Sequence, residues 1–221
     1  SSGSVNLLKN IYNKSMSNSF VHLHSHTEYS MLDGAAKIED YLDKVKELDQ
    51  PAAAITDHGN LYGALEFYNS AIKKKLIPII GYEAYVINDS RFERPDRENN
   101  KRYHLTLLAE NTIGYWNLVN LASRAFTEGY YYKPRVDYEL LKEHSEGIIA
   151  LSGCLGGEIA QFLAPDGSFE EGNKEGERSY PKALEKAKFY QSIFGEENFF
   201  IELHNHGIEQ QKMILPDLLK I

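Results

Sequence analysis

The sequence has one cysteine, Cys154, among its 221 residues. A disulfide framework within the chain is therefore excluded, a Cys-rich structural zinc site is argued against, and a reducing compartment such as the cytoplasm is the expected location. No apolar run approaches the roughly 20 residues that a membrane helix requires. No stretch has the layout of a secretory signal, so no membrane partner is expected. Positive charge is also short: 24 Lys and Arg face 32 Asp and Glu, a net charge of −8. That balance speaks against gripping nucleic acid over a broad basic surface, but not against an acidic pocket whose cations hold phosphate. No Gly-rich nucleotide loop follows the first apolar segment, and no internal repeat is visible. What remains, 42% apolar and 25% charged residues, is the composition of an ordinary globular protein, one large domain or two small ones.

Histidine, by contrast, is concentrated. The stretch "FVHLHSHTEYSMLDG", Phe20 to Gly34, holds three of the eight histidines, His22, His24 and His26, with Glu28 and Asp33 just beyond. In an extended strand, side chains at i, i+2 and i+4 share one face. Imidazoles gain little from crowding one another, and protonated ones repel; a shared cation removes both problems. A metal site is expected here rather than a polar strand face that happens to be rich in His.

The rest of the chain alternates between two hydrophobic periods. "KIEDYLDKVKEL" carries Ile38, Tyr41, Leu42, Val45 and Leu48 at helical spacing, and "PAAAITDHG" reads as a strand buried on both faces. Leu61, Leu65, Tyr68 and Ile72 mark a second helix, closed by Lys73 to Lys75. "IPIIGYEAYV" and "HLTLLA" are strands separated by a polar loop, and "NTIGYWNLVNLASRAF" is a helix with Trp116, Val119 and Ala122 on one face. "GIIALSGC" and "NFFIELHNH" read as two further strands, and "PDGSFEEGNKEGERSY" (165–180) as a surface loop. Six strands alternating with helices predict an α/β protein with a mostly parallel sheet.

Chemistry-bearing residues recur just after the apolar strands. His24 and His26 follow the first, Asp57 and His58 the second, and Cys154 the fifth, with His204 and His206 closing the sixth and Glu83 inside the third. In barrels of parallel strands, that rim is where active sites are assembled. His104 begins its strand, so it joins the rim only if that strand runs against its neighbours or the barrel is irregular. A Cys154 nucleophile with a His base is the weaker alternative, because "SGC" has no nucleophile-elbow pattern. The donors are too many for one ion. A cluster of two or three metals fits better, and such clusters clamp phosphate oxygens and activate water.

Taken together, "FVHLHSHTEYSMLDGAAKIEDYLDKVKEL", "AAITDHGNLYGALEFYNSA", "IPIIGYEAYV", "HLTLLAENTIGYWNLVNLASRAFTEGYYYKPRVD", "GIIALSGCLGGEI" and "FFIELHNHG" resemble the polymerase and histidinol phosphatase (PHP) domains of bacterial DNA polymerase III α subunits, from about Phe20 to the end of the chain. The resemblance implies a distorted seven-stranded β/α barrel, about six strands of which are present, and a rim site for up to three divalent ions (Zn, Mn or Fe, with Mg possible). By motif, it implies His24, His26, Asp33, His58, Glu83, His104 and Cys154 as metal-ligating and catalytic residues. His22 takes a non-ligand position, Asp57 becomes a supporting neighbour, and His204 and His206 fall outside the pattern. The family completes its site with an Asp-x-His pair after the last barrel strand. The chain stops in a helical pattern before any such pair, so residues 20–221 read as a domain cut before its last strand. "SSGS" reads as an added tag within an N-terminal extension, 1–19, with Met16 a candidate natural start.

The implied function is metal-dependent phosphoester hydrolysis within a replicative DNA polymerase, acting as a proofreading 3′–5′ exonuclease on single-stranded DNA ends. The implied partners are the remainder of the α subunit, the sliding clamp and a separate exonuclease subunit. A catalytically silent, metal-bearing module that docks such an exonuclease is the alternative reading. A stand-alone small-molecule phosphatase is disfavoured by "EGYYYKPRVD" and "NLYGALEFYNSA". Arg124, Lys133 and Arg135, around the aromatic run Tyr130 to Tyr132, are candidates for contacting DNA, because cations interleaved with aromatics can pair with phosphate and stack on unpaired bases. Packing of the domain is the competing role for those cations.

Overall fold

A computed structural model describes residues 20–31, 33–96, 99–164 and 177–221. The expected N-terminal extension, 1–19, and the greater part of the loop expected over 165–180 lie outside the described residues. In chain order the elements are α1 (Ile38–Glu47), β1 (Ala52–Ile55), α2 (Ala64–Lys73), β2 (Ile77–Ile87), β3 (Tyr103–Ala109) and α3 (Thr112–Thr127). There follow β4 (Arg135–Asp137), α4 (Tyr138–Glu143), β5 (Ile148–Leu151), α5 (Glu158–Leu163), α6 (Tyr180–Phe194), β6 (Phe199–Phe200) and α7 (Glu209–Leu218).

The eleven-residue β2 organises a six-stranded sheet of order β1-β2-β3-β5-β6, with β4 pairing β2 off that path. The β1–β2, β2–β4 and β5–β6 pairs are parallel, whereas β3 runs antiparallel to both β2 and β5. The four residues of β1, Ala-Ala-Ala-Ile, are all buried, as expected for a strand covered on both faces. One core fills the space between β2, β3, β5 and the helices α3 to α7, with Leu107, Leu118, Leu121, Leu140 and Ile148 fully buried. A smaller one packs Ile38, Leu42 and Val45 of α1 against Phe67 and Ala71 of α2 over β1.

The expected α/β alternation holds, with four corrections. The stretch through His22, His24 and His26 forms no strand and bends at His24, because its partners are side chains as well as backbone. Thr56 N–H donates to Ser25 O at 2.9 Å, Ser25 N–H to Thr56 Oγ1 at 2.8 Å, and Thr27 N–H to Asp57 Oδ1 at 2.5 Å. A strand that the sequence reading lacks, β4, follows Pro134, so the six strands among the described residues are not the six expected. The strand expected over "NFFIELHNH" is only two residues long. Finally, two helices turn other faces inward. α2 buries Ala64, Phe67 and Ala71, leaving Leu65 72% exposed. α3 buries Leu118, Leu121 and Ala125, with Ala122 of the expected face also buried and Trp116 left exposed.

Asn111 caps α3: its side chain accepts the Gly114 N–H at 3.1 Å. Replacing Asn111 with Ala strips that acceptor from an otherwise intact helix, and should lower stability by about 1 kcal/mol. Urea denaturation should show the loss as a shifted midpoint with an unchanged slope.

Candidate metal centre

The backbone brings the chemistry-bearing residues to one end of the sheet. Beyond β1, His58 bridges in parallel to Glu83 of β2: Glu83 N–H donates to Asp57 O at 3.0 Å, and Gly59 N–H to Glu83 O at 2.8 Å. Gly59 adopts a φ of +66°, and a Cβ there would meet Pro134 Cγ at 2.8 Å, so only glycine lets the turn carry His58 inward. Because β3 is reversed, the start of the strand faces the same end as the finish of its neighbours. His104 lies opposite Tyr85, and its N–H donates to Gly156 O at 2.9 Å. That is the condition under which His104 could join the rim. The turn after His26 is shaped by Asp57, a buried carboxylate that accepts from Thr27 N–H, from Thr27 Oγ1 at 2.7 Å and from Ser30 Oγ at 3.0 Å. Asp57 thus braces the His segment rather than joining the cluster.

Glu83, 1% exposed, is the hub. Its Oε1 lies 3.4 Å from His24 Nε2 and 3.2 Å from His104 Nδ1, and its Oε2 lies 3.3 Å from His26 Nε2 and 3.0 Å from His58 Nδ1. Asp33 Oδ2 sits 2.7 Å from His58 Nε2 on the outer side. Cys154 Sγ is 3.6 Å from His104 Nδ1 and 3.9 Å from Glu83 Oε1. All seven residues singled out by motif therefore converge, Asp33 and Cys154 at the margins. Three groups among them bring one donor atom each within 4.8 Å of the others: His24, His26 and Glu83; His58, Glu83 and His104; His26, Asp33 and His58.

The electrostatics suit cations. Burial alone would raise the Glu83 carboxyl, but His104 and His24 hold it well below the usual carboxylate range. Burial acts downward on His24, yet Glu83 and Glu202 raise it well above the ordinary imidazole value. Burial lowers His26, which neighbouring His58 and His24 reinforce against the pull of Glu83. Several buried polar atoms here make no hydrogen bond within the described residues: His26 Nδ1, His58 Nδ1 and Glu83 Oε2. Buried polar atoms are normally satisfied. His58 Nδ1 and His26 Nε2 face the same Glu83 Oε2 at 3.0 and 3.3 Å, a mixed imidazole and carboxylate set of the kind that divalent cations take. A mixed N, O and S set does not select among Zn, Mn and Fe.

The remaining candidates separate. His22 is exposed and packs edge-on to Phe20. His206 lies beyond the cluster, its ring 5.1 Å from that of His204. His204 Nε2 is 2.8 Å from Glu202 Oε1, and the same oxygen is 2.8 Å from His24 Nδ1. Glu202 is the site residue that sequence reasoning missed, although Phe200, Glu202 and His204 alternate just as His22, His24 and His26 do. Burial raises the Glu202 carboxyl, but hydrogen bonds with His204 and His24 bring it down to about 2.

Among the expected DNA contacts, Arg135 requires correction. It is 1% exposed, and its guanidinium donates to Gly129 O at 2.9 Å, Arg91 O at 3.0 Å and Glu93 O at 2.7 Å. A buried guanidinium that holds loop carbonyls cannot reach phosphate. Arg124 is ion-paired to Glu128 and Glu143 at 2.9 and 2.7 Å. Lys133 stays near the centre: its Nζ is 5.1 Å from the Tyr85 ring, which lies 5.7 and 5.4 Å from the rings of His58 and His104.

The chain is similar to known proteins. A family model described as the PHP domain matches residues 22–206. The DNA polymerase III subunit alpha of Thermus aquaticus is 51% identical over 201 residues, covering 88% of this chain and 15% of that protein. Its Deinococcus radiodurans counterpart is 47% identical over 207 residues, covering 90% of this chain and 14% of that protein. The chain therefore spans only about a seventh of the length of these relatives. A solved structure of a Bifidobacterium adolescentis protein classed as a metal-dependent phosphoesterase aligns over 91% of this chain and 84% of its own. The TM-score is 0.53 at 12% identity, which shows a shared fold. The fold is a distorted β/α barrel, and at its rim His24, before β1, meets Glu202, after β6.

Proposed function

The chain belongs to the PHP domain family, and from that membership we propose that it is the phosphoesterase module of a replicative DNA polymerase α subunit, a metal-dependent 3′–5′ exonuclease that trims single-stranded DNA ends. The observation that carries this reading is the single buried carboxylate, Glu83, with two imidazoles facing each of its oxygens. Glu83 with His24 and His26, Glu83 with His58 and His104, and Asp33 with His26 and His58 would be the groups that hold divalent ions. Bound divalent ions would supply Lewis-acid activation of water and neutralise charge on the phosphodiester. His24, His26, His58, His104, Asp33 and Cys154 would hold the ions with Glu83. The partners proposed are the remainder of the α subunit, the sliding clamp and a separate exonuclease subunit, with the cytoplasm as the setting. Among the described residues, no helix is long and apolar enough to cross a membrane.

The chain's own residues would also receive the substrate. Lys133 offers an ammonium beside the cluster, and the exposed rings of Tyr62, Phe126 and Tyr130 follow one another at 6.0 and 6.1 Å. Aromatic faces spaced this way can stack unpaired bases while a cation meets the backbone. Lys133→Glu should weaken single-strand binding by the full-length protein and lower the magnitude of the salt slope by about one. An unchanged slope would remove Lys133 from the substrate path.

The deciding experiment follows the 3′ end. Full-length protein stripped by chelator and then supplied with Zn, Mn or Mg should release mononucleotides from the 3′ end of labelled single-stranded DNA only when metal is present. A His26→Ala, His58→Ala double variant should release none. Metal binding without any turnover would favour the silent docking module instead.

A further inference from the structure

We propose that Glu202 is the positioning residue of this centre: it accepts the Nδ1–H of His24, and so fixes the tautomer in which Nε2 turns its lone pair toward Glu83 and His26. The inference rests on reading the cluster as a metal site, and it assigns a role to a residue outside the family-type ligand motif.

The two nitrogens of His24 have different surroundings. Nδ1 is 2.8 Å from Glu202 Oε1 and 3.2 Å from the buried hydroxyl of Thr106. Nε2 is 3.4 Å from Glu83 Oε1, inside the donor cluster. A neutral imidazole carries one N–H and one lone pair. Were the proton on Nε2, the Nδ1 lone pair would point at a carboxylate oxygen at hydrogen-bond distance, where both partners are acceptors. Nε2 also faces a carboxylate oxygen, but at 3.4 Å against 2.8 Å, so the proton belongs on Nδ1 at the closer acceptor and Nε2 is the nitrogen left to hold a cation. A carboxylate behind a ligating histidine also raises its basicity and locks its ring.

Glu202 is itself held in place. Its N–H donates to Ser152 Oγ at 2.9 Å, and Ser152 N–H donates to Phe200 O at 2.9 Å, so β5 and β6 together aim the carboxylate at His24. His204 Nε2 takes up the same oxygen. The rival assignment makes His24, Glu202 and His204 the ligands of an ion of their own, since their donor atoms also fall within 4.8 Å of one another. That arrangement would direct Nδ1 of His24 to the ion and leave Nε2 carrying its proton toward the cluster, where it could not serve the ion shared with His26 and Glu83.

The test uses full-length protein, Zn²⁺ titrated against a competing chelator, and metal counted after gel filtration. Glu202→Gln keeps an oxygen acceptor of the same reach, so the ion count should be unchanged and the affinity within about threefold of the parent. Glu202→Ala removes the acceptor, and should weaken one ion by about 10- to 100-fold while the number of sites stays the same. Loss of one ion in Glu202→Gln would make Glu202 a ligand and overturn the proposal. Parental affinity in a folded Glu202→Ala protein would also overturn it. If Glu202→Ala does not fold, the Glu202→Gln result still separates positioning from ligation. Failure of the parent protein itself to bind Zn²⁺ would strike the metal-site reading instead.

Discussion

Glu83→Gln should abolish the metal centre while leaving the fold in place. The replacement is isosteric, and the side chain sits in a fully enclosed position on β2. What it removes is the charge that four imidazoles face at 3.0 to 3.4 Å. An amide lacks the charge that would hold divalent cations there, and its NH₂ would turn hydrogens toward the imidazole nitrogens. Of the three donor groups among the motif residues, only that of His26, Asp33 and His58 would survive intact, and outside them His24, Glu202 and His204 also lack Glu83. Bound metal in the full-length protein should fall to at most one loosely held ion, read by elemental analysis after gel filtration. Metal-assisted stabilisation amounts to several kcal/mol, so 3′ mononucleotide release should fall on the order of 1,000-fold or more. Retention of the parental metal content would show that Glu83 is a packing residue amid histidines rather than their shared ligand.

Much of this site was legible because its residues sit in short motifs at the ends of buried strands. The motifs carried His24, His26, His58 and Cys154 to one rim, and the family pattern added Asp33, Glu83 and His104. The puzzle of His104 dissolves on the direction of β3. Strand direction depends on which partners a strand finds across the sheet, and period-2 hydrophobicity carries no sign of it. Glu202 escaped for a different reason. In "FIELHNH" the histidines draw the eye, yet the carboxylate between the phenylalanines and the histidines makes the contact with His24.

The fold was legible to the level of element type, less so in detail. The sequence through α2 offers two stripes of helical spacing, Leu61–Leu65–Tyr68–Ile72, whose first member precedes the helix, and Ala64–Phe67–Ala71. The second is buried, since alanines let the helix lie close over β1 while Phe67 fills the gap. Periodicity alone ranks the larger stripe first and is wrong. The His segment failed as a strand because Thr56 and Asp57 supply the hydrogen bonds that a ladder would. Such side-chain substitutes for backbone pairing leave no period in the sequence. β4 is three residues long, too short for any pattern to form.

The largest stability effect away from the metal centre should come from Asp137. It closes β4, caps α4 by accepting the Leu140 N–H at 3.0 Å, and accepts the Arg91 backbone N–H at 2.9 Å. Both of its oxygens also lie 3.0 Å from Arg91 Nη1, with the two side chains 5% and 7% exposed. Asp137→Ala would leave a buried guanidinium short of a partner, a change that costs roughly 3–5 kcal/mol, and would remove a helix cap worth about 1 kcal/mol. Glu128 remains 2.6 Å from Arg91 Nε, so the loss should fall toward the lower end. Asp137→Asn keeps an acceptor for the cap but not the charge, and should lie between parent and Ala. Removing both partners, as in Arg91→Met with Asp137→Leu, should recover much of the loss because no charge is left buried alone. Urea unfolding of the set would read these as ordered midpoints. Equal stability of Asp137→Ala and the parent would mean that water or Glu128 satisfies Arg91 completely. Among the described residues the hydrogen bonds and ion pairs of Asp137 go to Arg91 and Leu140 and not to the metal-centre residues, so metal content per folded molecule should be unchanged across the series, which separates this effect from that of Glu83.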